Sequence, residues 1–134
     1  MKFYFSVVLS VLIFSVILNS CKESTTEDVD SLKPTITILK PFANDTLKTT
    51  SDSINIKFTA RDNAELHEIG FKITNAKGET VLSDEIHVDT SYFSYDKKFK
   101  LNGITTITSL NLECSASDHS NNVQTISTFF YVKP

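Results

Sequence analysis

The sequence predicts an all-β fold, a sandwich of about seven antiparallel strands in two sheets. Three observations carry that expectation. Beyond Pro34, apolar residues recur at every second position rather than every third or fourth. The alternating runs are short and separated by turn-forming residues, at intervals of about 8–12 positions. Each run has one apolar and one polar face, as expected of sheets packed on one side rather than of a parallel sheet covered on both. A closed barrel is the alternative arrangement of the same strands.

The first run, Ile36-Thr37-Ile38-Leu39, is closed by Lys40-Pro41. In the second, Ile54, Ile56, Phe58 and Ala60 alternate with Asn55, Lys57, Thr59 and Arg61. Ile69, Phe71 and Ile73 form the third, and Asn75-Ala76-Lys77-Gly78 reads as a turn into Ile86-His87-Val88. Between these, Ala64 to Glu68 has helical character but is too short to stand alone. Phe93, Tyr95, Phe99 and Leu101 pattern the fifth run, and Asn102-Gly103 is a turn signal after it. Leu110, Leu112, Cys114 and Ala116 pattern the sixth, and Val123 to Val132 forms the seventh.

The segment before this domain has a different character. Residues 1–20 carry one charge, Lys2, and an apolar stretch from Phe3 to Leu18 broken only by serines. A bilayer-crossing helix needs about 20 apolar residues, and this stretch is shorter, as in a secretory signal. It ends in Leu18-Asn19-Ser20-Cys21, which resembles a bacterial lipoprotein signal. That resemblance implies removal of residues 1–20 and lipidation of Cys21. Two or more acyl chains anchor a protein stably where one does not. Residues 21–33 contain four acids, several hydroxyls and no aromatic residue, a composition expected to remain a flexible tether. The domain itself is expected over 34–134.

Composition narrows the function classes. The chain has 13 basic and 16 acidic residues and a net charge of −3, with signs mixed along its length. Such a balance offers no footprint for nucleic acid. With Cys21 lipidated, Cys114 is left unpaired. Its place among alternating apolar residues predicts a buried thiol acting as a small hydrophobe. Nothing supports catalysis: His67, His87 and His119 sit in separate segments without metal-ligand spacing, and no nucleophile elbow or phosphate loop is present. The chain is therefore expected not to be an enzyme.

Two phrases make the fold expectation more specific. Ala60-Arg61-Asp62-Asn63 closes the second run, and Ala116-Ser117-Asp118-His119 closes the sixth. Together with Lys33 to Ile38 and Ser53 to Ile56, they resemble the opening and closing phrases of bacterial Ig-like and cadherin-like domains. Asn121 stands where a turn glycine is usual, and asparagine tolerates the same left-handed backbone. The core tryptophan and paired cysteines of antibody-type domains are missing. The overall plan resembles small lipoproteins of the Bacteroidetes type with one Ig-like β-sandwich domain.

In that fold the second and sixth strands end at one pole, which implies that Asp62, Asn63, Asp118 and Asn121 converge, with Glu65 and Asn122 nearby. Oxygen donors of this kind suit Ca2+, which takes six to eight. The alternative role for Asp62 and Asp118 is turn capping through backbone N–H groups. Tyr92, Tyr95 and Tyr131 are the candidate contacts for a ligand or partner, either on a sugar ring or against a protein. The expected function is a non-catalytic binding module, held at the outer membrane by its lipid and displayed at the cell surface. Its partner is an envelope protein or a glycan; carbohydrate capture or a periplasmic spacer role are the alternatives.

Overall fold

The computed structural model describes residues 29–48 and 53–134. The signal segment 1–20, Cys21 and the first part of the tether lie outside the described residues.

Six strands are present among the described residues: β1 (Thr35–Lys40), β2 (Thr46–Lys48), β3 (Ile54–Asn75), β4 (Thr80–Phe99), β5 (Thr108–Asp118) and β6 (Val123–Lys133). No helix occurs among the described residues. The all-β expectation holds, and its alternating apolar residues are the core. Ile54, Ile56, Phe58 and Ala60, then Leu66, Ile69, Phe71 and Ile73, are buried along β3. Leu110, Leu112, Cys114 and Ala116 on β5, with Phe130 and Val132 on β6, complete the inner face. Each of the branched aliphatic and phenyl side chains among them contributes roughly 1.5–3 kcal/mol by leaving water.

The strand count differs from the seven runs because two pairs of runs are continuous. The second and third join as β3, of 22 residues, and the fourth and fifth as β4, of 20. Residues 61–65 are polar except for Ala64, so the hydrophobic alternation lapses, but the backbone stays in the β3 strand through a bend. The β3–β4 ladder shifts register there, between Arg61/Leu66 and again between Leu66/Glu68. Irregularities of this kind bend a strand and increase its twist. The sixth element is β2, three residues too short to leave a periodic signal, which runs parallel to the end of β6.

The bend makes two layers from one hydrogen-bonded sheet. Ile54–Arg61 pairs with β1 on one side and with Tyr92–Phe99 of β4 on the other. Leu66–Asn75 pairs with the first half of β4 and with β5, which continues to β6 and β2. Within the first layer Phe58 stacks on its cross-strand neighbour Tyr95 at 5.0 Å, and Phe71 joins the layers by meeting Tyr95 and Phe99 edge-on at 5.5 and 5.4 Å.

Three local features hold the strands in place. Gly70 lies between Glu85 and Ser115 in adjacent strands. A Cβ there would come within 2.9 Å of the Asp84 carbonyl oxygen, so close strand approach requires glycine. At the β3–β4 turn, Gly78 has φ 80° and Asn75 Oδ1 accepts from the N–H groups of Lys77 and Glu79. Cys114 is free and fully buried, and burial pushes its thiol up to about 12. It behaves as the inert hydrophobe its strand position predicts.

Candidate functional site at the polar pole

The bend of β3, the β5–β6 turn and the chain preceding β1 meet at one end of the sandwich. Asp62 and Asp118 both lie there, as expected, and both cap turns. Asp62 Oδ1 accepts from the Ala64 N–H at 2.9 Å. Asp118 Oδ1 accepts from the Asn122 N–H at 2.8 Å, and its Oδ2 accepts from Asn122 Nδ2 at 2.7 Å. Asn121 supplies the left-handed backbone, with φ 65°, but the amide that enters the cluster belongs to Asn122. The turn role expected of Asn121 holds, but its side chain does not join the cluster as expected; Asn122, expected only nearby, supplies the amide.

A third carboxylate joins from the expected tether. Asp30 Oδ2 accepts from Asn63 Nδ2 at 2.8 Å, and its carbonyl oxygen accepts from Asn122 Nδ2 at 2.9 Å. The end of the 21–33 segment is thus fixed by hydrogen bonds, not by apolar burial, which composition could not foretell. Carboxylate oxygens of Asp30, Asp62 and Asp118 lie within 4.8 Å of one another.

Electrostatics distinguish these three. Asp118 is 2% exposed. Burial pulls its carboxyl upward, but hydrogen bonds from the Asn122 side chain and from backbone N–H groups outweigh this and hold it below the usual value. Asp62 is 8% exposed, and its Oδ2 is buried without a hydrogen-bond partner. An uncompensated carboxylate oxygen of this kind is costly to bury, and an oxygen-preferring cation would compensate it.

The histidines, which the sequence scatters, converge beside these acids. His67 sits at the β3 bend, His87 on β4, and His119 directly after β5. The His67 ring lies 4.5 Å from His87 and 4.7 Å from His119. Asp89 Oδ1 is 3.4 Å from His87 Nε2 and 3.1 Å from His119 Nε2. Linear spacing gave no sign of this cluster, because cross-strand register decides it. The available signal was that His67 and His119 each follow closely on an Ala-x-Asp phrase expected at one pole.

The tyrosines do not form one surface. Tyr95 is 1% exposed and donates its hydroxyl to Asp84 Oδ2, so it is a core residue and not a ligand contact. Its place in the stack between Phe58 and Phe71 explains why. Tyr92 is exposed beneath the Arg61 guanidinium at 5.8 Å. Tyr131 is exposed on β6, where Phe129 shares its outward face.

β6 itself presents the second notable surface. It pairs with β5 over ten consecutive residues without a register shift. On its other side β2 covers only Tyr131–Lys133, and the Asn44 N–H reaches the Phe129 carbonyl. Among the described residues no strand pairs with the outer edge of Val123–Thr128. From Asn121 to Val132 the sequence contains no charged residue. Edge strands are ordinarily shielded by charge, proline or a bulge, and this one carries none of these.

The bent sandwich, with β1 on one layer and β2 on the edge of the other, agrees with a family match. The profile of the bacterial Ig domain matches residues 34–109, more than half of the chain. The chain belongs to the bacterial Ig domain family. The matched span runs from β1 into the start of β5, and the remainder of β5 with β6 continues the same sheet beyond it. No curated protein matches the sequence. An Ig domain speaks for a non-catalytic protein and an interaction module.

Proposed function

We propose that this Ig domain is the interaction module of a lipid-anchored envelope protein and binds a partner protein by strand addition to β6. One observation carries the reading: among the described residues the outer edge of Val123–Thr128 is unpaired, and the strand is uncharged and free of bulges. A partner strand laid along it gains main-chain hydrogen bonds, and alternate side chains set specificity. Exposed Val123, Phe129 and Tyr131 flank the edge and add apolar contact. A carbohydrate platform has less support, since Tyr95 is buried and Tyr92 and Tyr131 lie on strands that do not pair.

Cys21, in its lipoprotein-type setting, is the proposed anchor. Asp30 lies nine positions after it, and an extended chain spans at most about 3.3–3.6 Å per residue. The polar pole then stays within about 30 Å of the leaflet, with β6 leading away from it. Outer-membrane attachment with display at the cell surface follows from the same reading. Replacing Cys21 with serine should release the domain from envelopes; retention would remove the anchor from the account.

The binding test uses Thr125→Lys with Ser127→Lys, two exposed positions on β6. Partner cross-linking on intact cells should disappear while the melting temperature changes little. Unaltered cross-linking would exclude this edge.

A second reading concerns the acidic trio, and the unpartnered Asp62 Oδ2 favours it. Asp30, Asp62 and Asp118 would supply three oxygens to a Ca2+ ion, backbone carbonyls and water the rest. A ligand selective for the folded chain raises its melting temperature. Millimolar Ca2+ should do so for the native chain and not for Asp62→Asn; equal melts with and without Ca2+ would dispose of the idea.

A further inference from the structure

We infer that His67, His87, His119 and Asp89 form a site for one divalent transition-metal ion, with Zn2+ as the fitting occupant. The inference is independent of the strand-addition reading and of the acidic trio. All three histidines in the chain are used, and they arrive from three separate elements.

A bulge places the central residue. Leu66 pairs with Asp118 and Glu68 with Ser117 on β5, so two steps along β3 match one step along β5. His67 is the extra residue. Leu66 and Ile69 consequently both face the core, although regular alternation would place them on opposite faces. Bulges re-aim side chains and recur beside functional sites. Here the bulge sets His67 between His87 and His119. Its Nδ1 is buried without a hydrogen-bond partner, an available ligand atom shielded from water.

Ligand atoms of His67, Asp89 and His119 lie within 4.8 Å of one another. His87 Nε2 is 3.4 Å from the same Asp89 oxygen that His119 Nε2 approaches to 3.1 Å. Tetrahedral Zn2+ holds nitrogen and oxygen ligands at about 2.0–2.2 Å, which separates neighbouring ligand atoms by roughly 3.3 Å. Two separations therefore already fit. Side chains of His87, His119 and Asp89 are 55%, 48% and 63% exposed, so they are free to close the remaining gaps by rotamer change.

The donor set also selects the ion. Imidazoles with one carboxylate suit Zn2+, Cu2+ or Ni2+, whereas Ca2+ and Mg2+ prefer oxygen throughout. Four protein ligands leave no open position, as in structural zinc sites. The ion would tie the β3 bend to β4 and to the β5–β6 turn, bracing the pole at which the chain enters the domain.

The test uses the full chain, prepared without a polyhistidine tag and stripped with chelator. Calorimetry with Zn2+ should give one ion per chain. At about a hundredfold excess over Kd, the melting temperature should rise by roughly 10 °C. Co2+ in place of Zn2+ should give the visible bands of tetrahedral coordination. Loss of an outer-shell partner costs about 10–100-fold in metal affinity, so loss of a ligand in His119→Gln should cost at least tenfold. That position is half exposed, and the variant should fold as the native chain does. Glu113→Gln, outside the cluster, should leave affinity unaltered. Absence of a thermal shift and of Co2+ bands in the native chain would overturn the inference. So would native affinity in the His67→Gln/His87→Gln/His119→Gln variant.

Discussion

The outer edges of β4 and β6 meet solvent in opposite ways. Among the described residues β4 pairs only with β3, and its sequence carries Asp84, Glu85, Asp89, Asp96, Lys97 and Lys98. Its ladder is broken by three register shifts. β6 has a regular ladder and no charge before Lys133. Both strands are long and partly exposed, so hydrophobic burial alone does not account for the contrast. Charge and irregularity resist pairing with a further strand. β4 is defended against such pairing, and β6 is left open to it.

The comparison holds only while the layers stay joined, and Phe71→Ala tests that most severely. The ring touches Tyr95 and Phe99 across the layers. Its removal should cost about 3–5 kcal/mol in denaturant unfolding, enough to loosen both edges together. A loss below about 1 kcal/mol would mean that the layers are not tied there.

Tyr95→Phe should have the next largest effect, confined to the defended side. It removes the hydroxyl that donates to Asp84 Oδ2, a carboxylate that Lys97 Nζ also reaches at 3.0 Å. Hydrogen bonds to charged groups contribute about 1.5–3 kcal/mol. The Tyr95 bond, then the Lys97 bond, hold the Asp84 carboxyl below its ordinary value. Stabilisation from Asp84 is therefore present above the unfolded value of about 3.9 and lost as pH falls through the lower folded value. Burial, then Asp84, raises the Tyr95 hydroxyl. Its stabilisation is full below about 10 and declines as pH climbs from there toward the raised folded value. Melting temperatures across pH should show both slopes flattened in Tyr95→Phe; unaltered slopes would break the link.

Lys57→Ala should have the smallest effect. Lys57 Nζ meets Asp96 Oδ2 at 2.8 Å across β3 and β4, but both side chains are well exposed. Such pairs contribute about 0–1 kcal/mol. The charges of β4 matter for what they exclude more than for what they stabilise. A larger loss on thermal melting would assign them a structural role instead.

How much was legible in the sequence follows from which interactions are local. Alternation at Ile54–Ala60 and Leu110–Ala116 marks the core because period two survives any topology. The Ala-x-Asp phrases placed Asp62 and Asp118 at one pole because each ends a run of core-facing alternation. Arg61 to Glu65 read as a strand end since burial lapses there, whereas the backbone ladder that continues has no signature in side-chain polarity. The inward face of Tyr95 depends on its stack with Phe58. The histidine cluster depends on one inserted residue at His67, which changes both parity and register. Neither effect can be read from spacing along the chain.

Amide hydrogen exchange along β6 tests the central claim most directly. In the purified chain, outward N–H groups of Val123–Thr128 should exchange quickly. On intact envelopes the same amides should become protected while those at the outer edge of β4 stay as they were. Equal exchange at β6 in both settings would contradict the account.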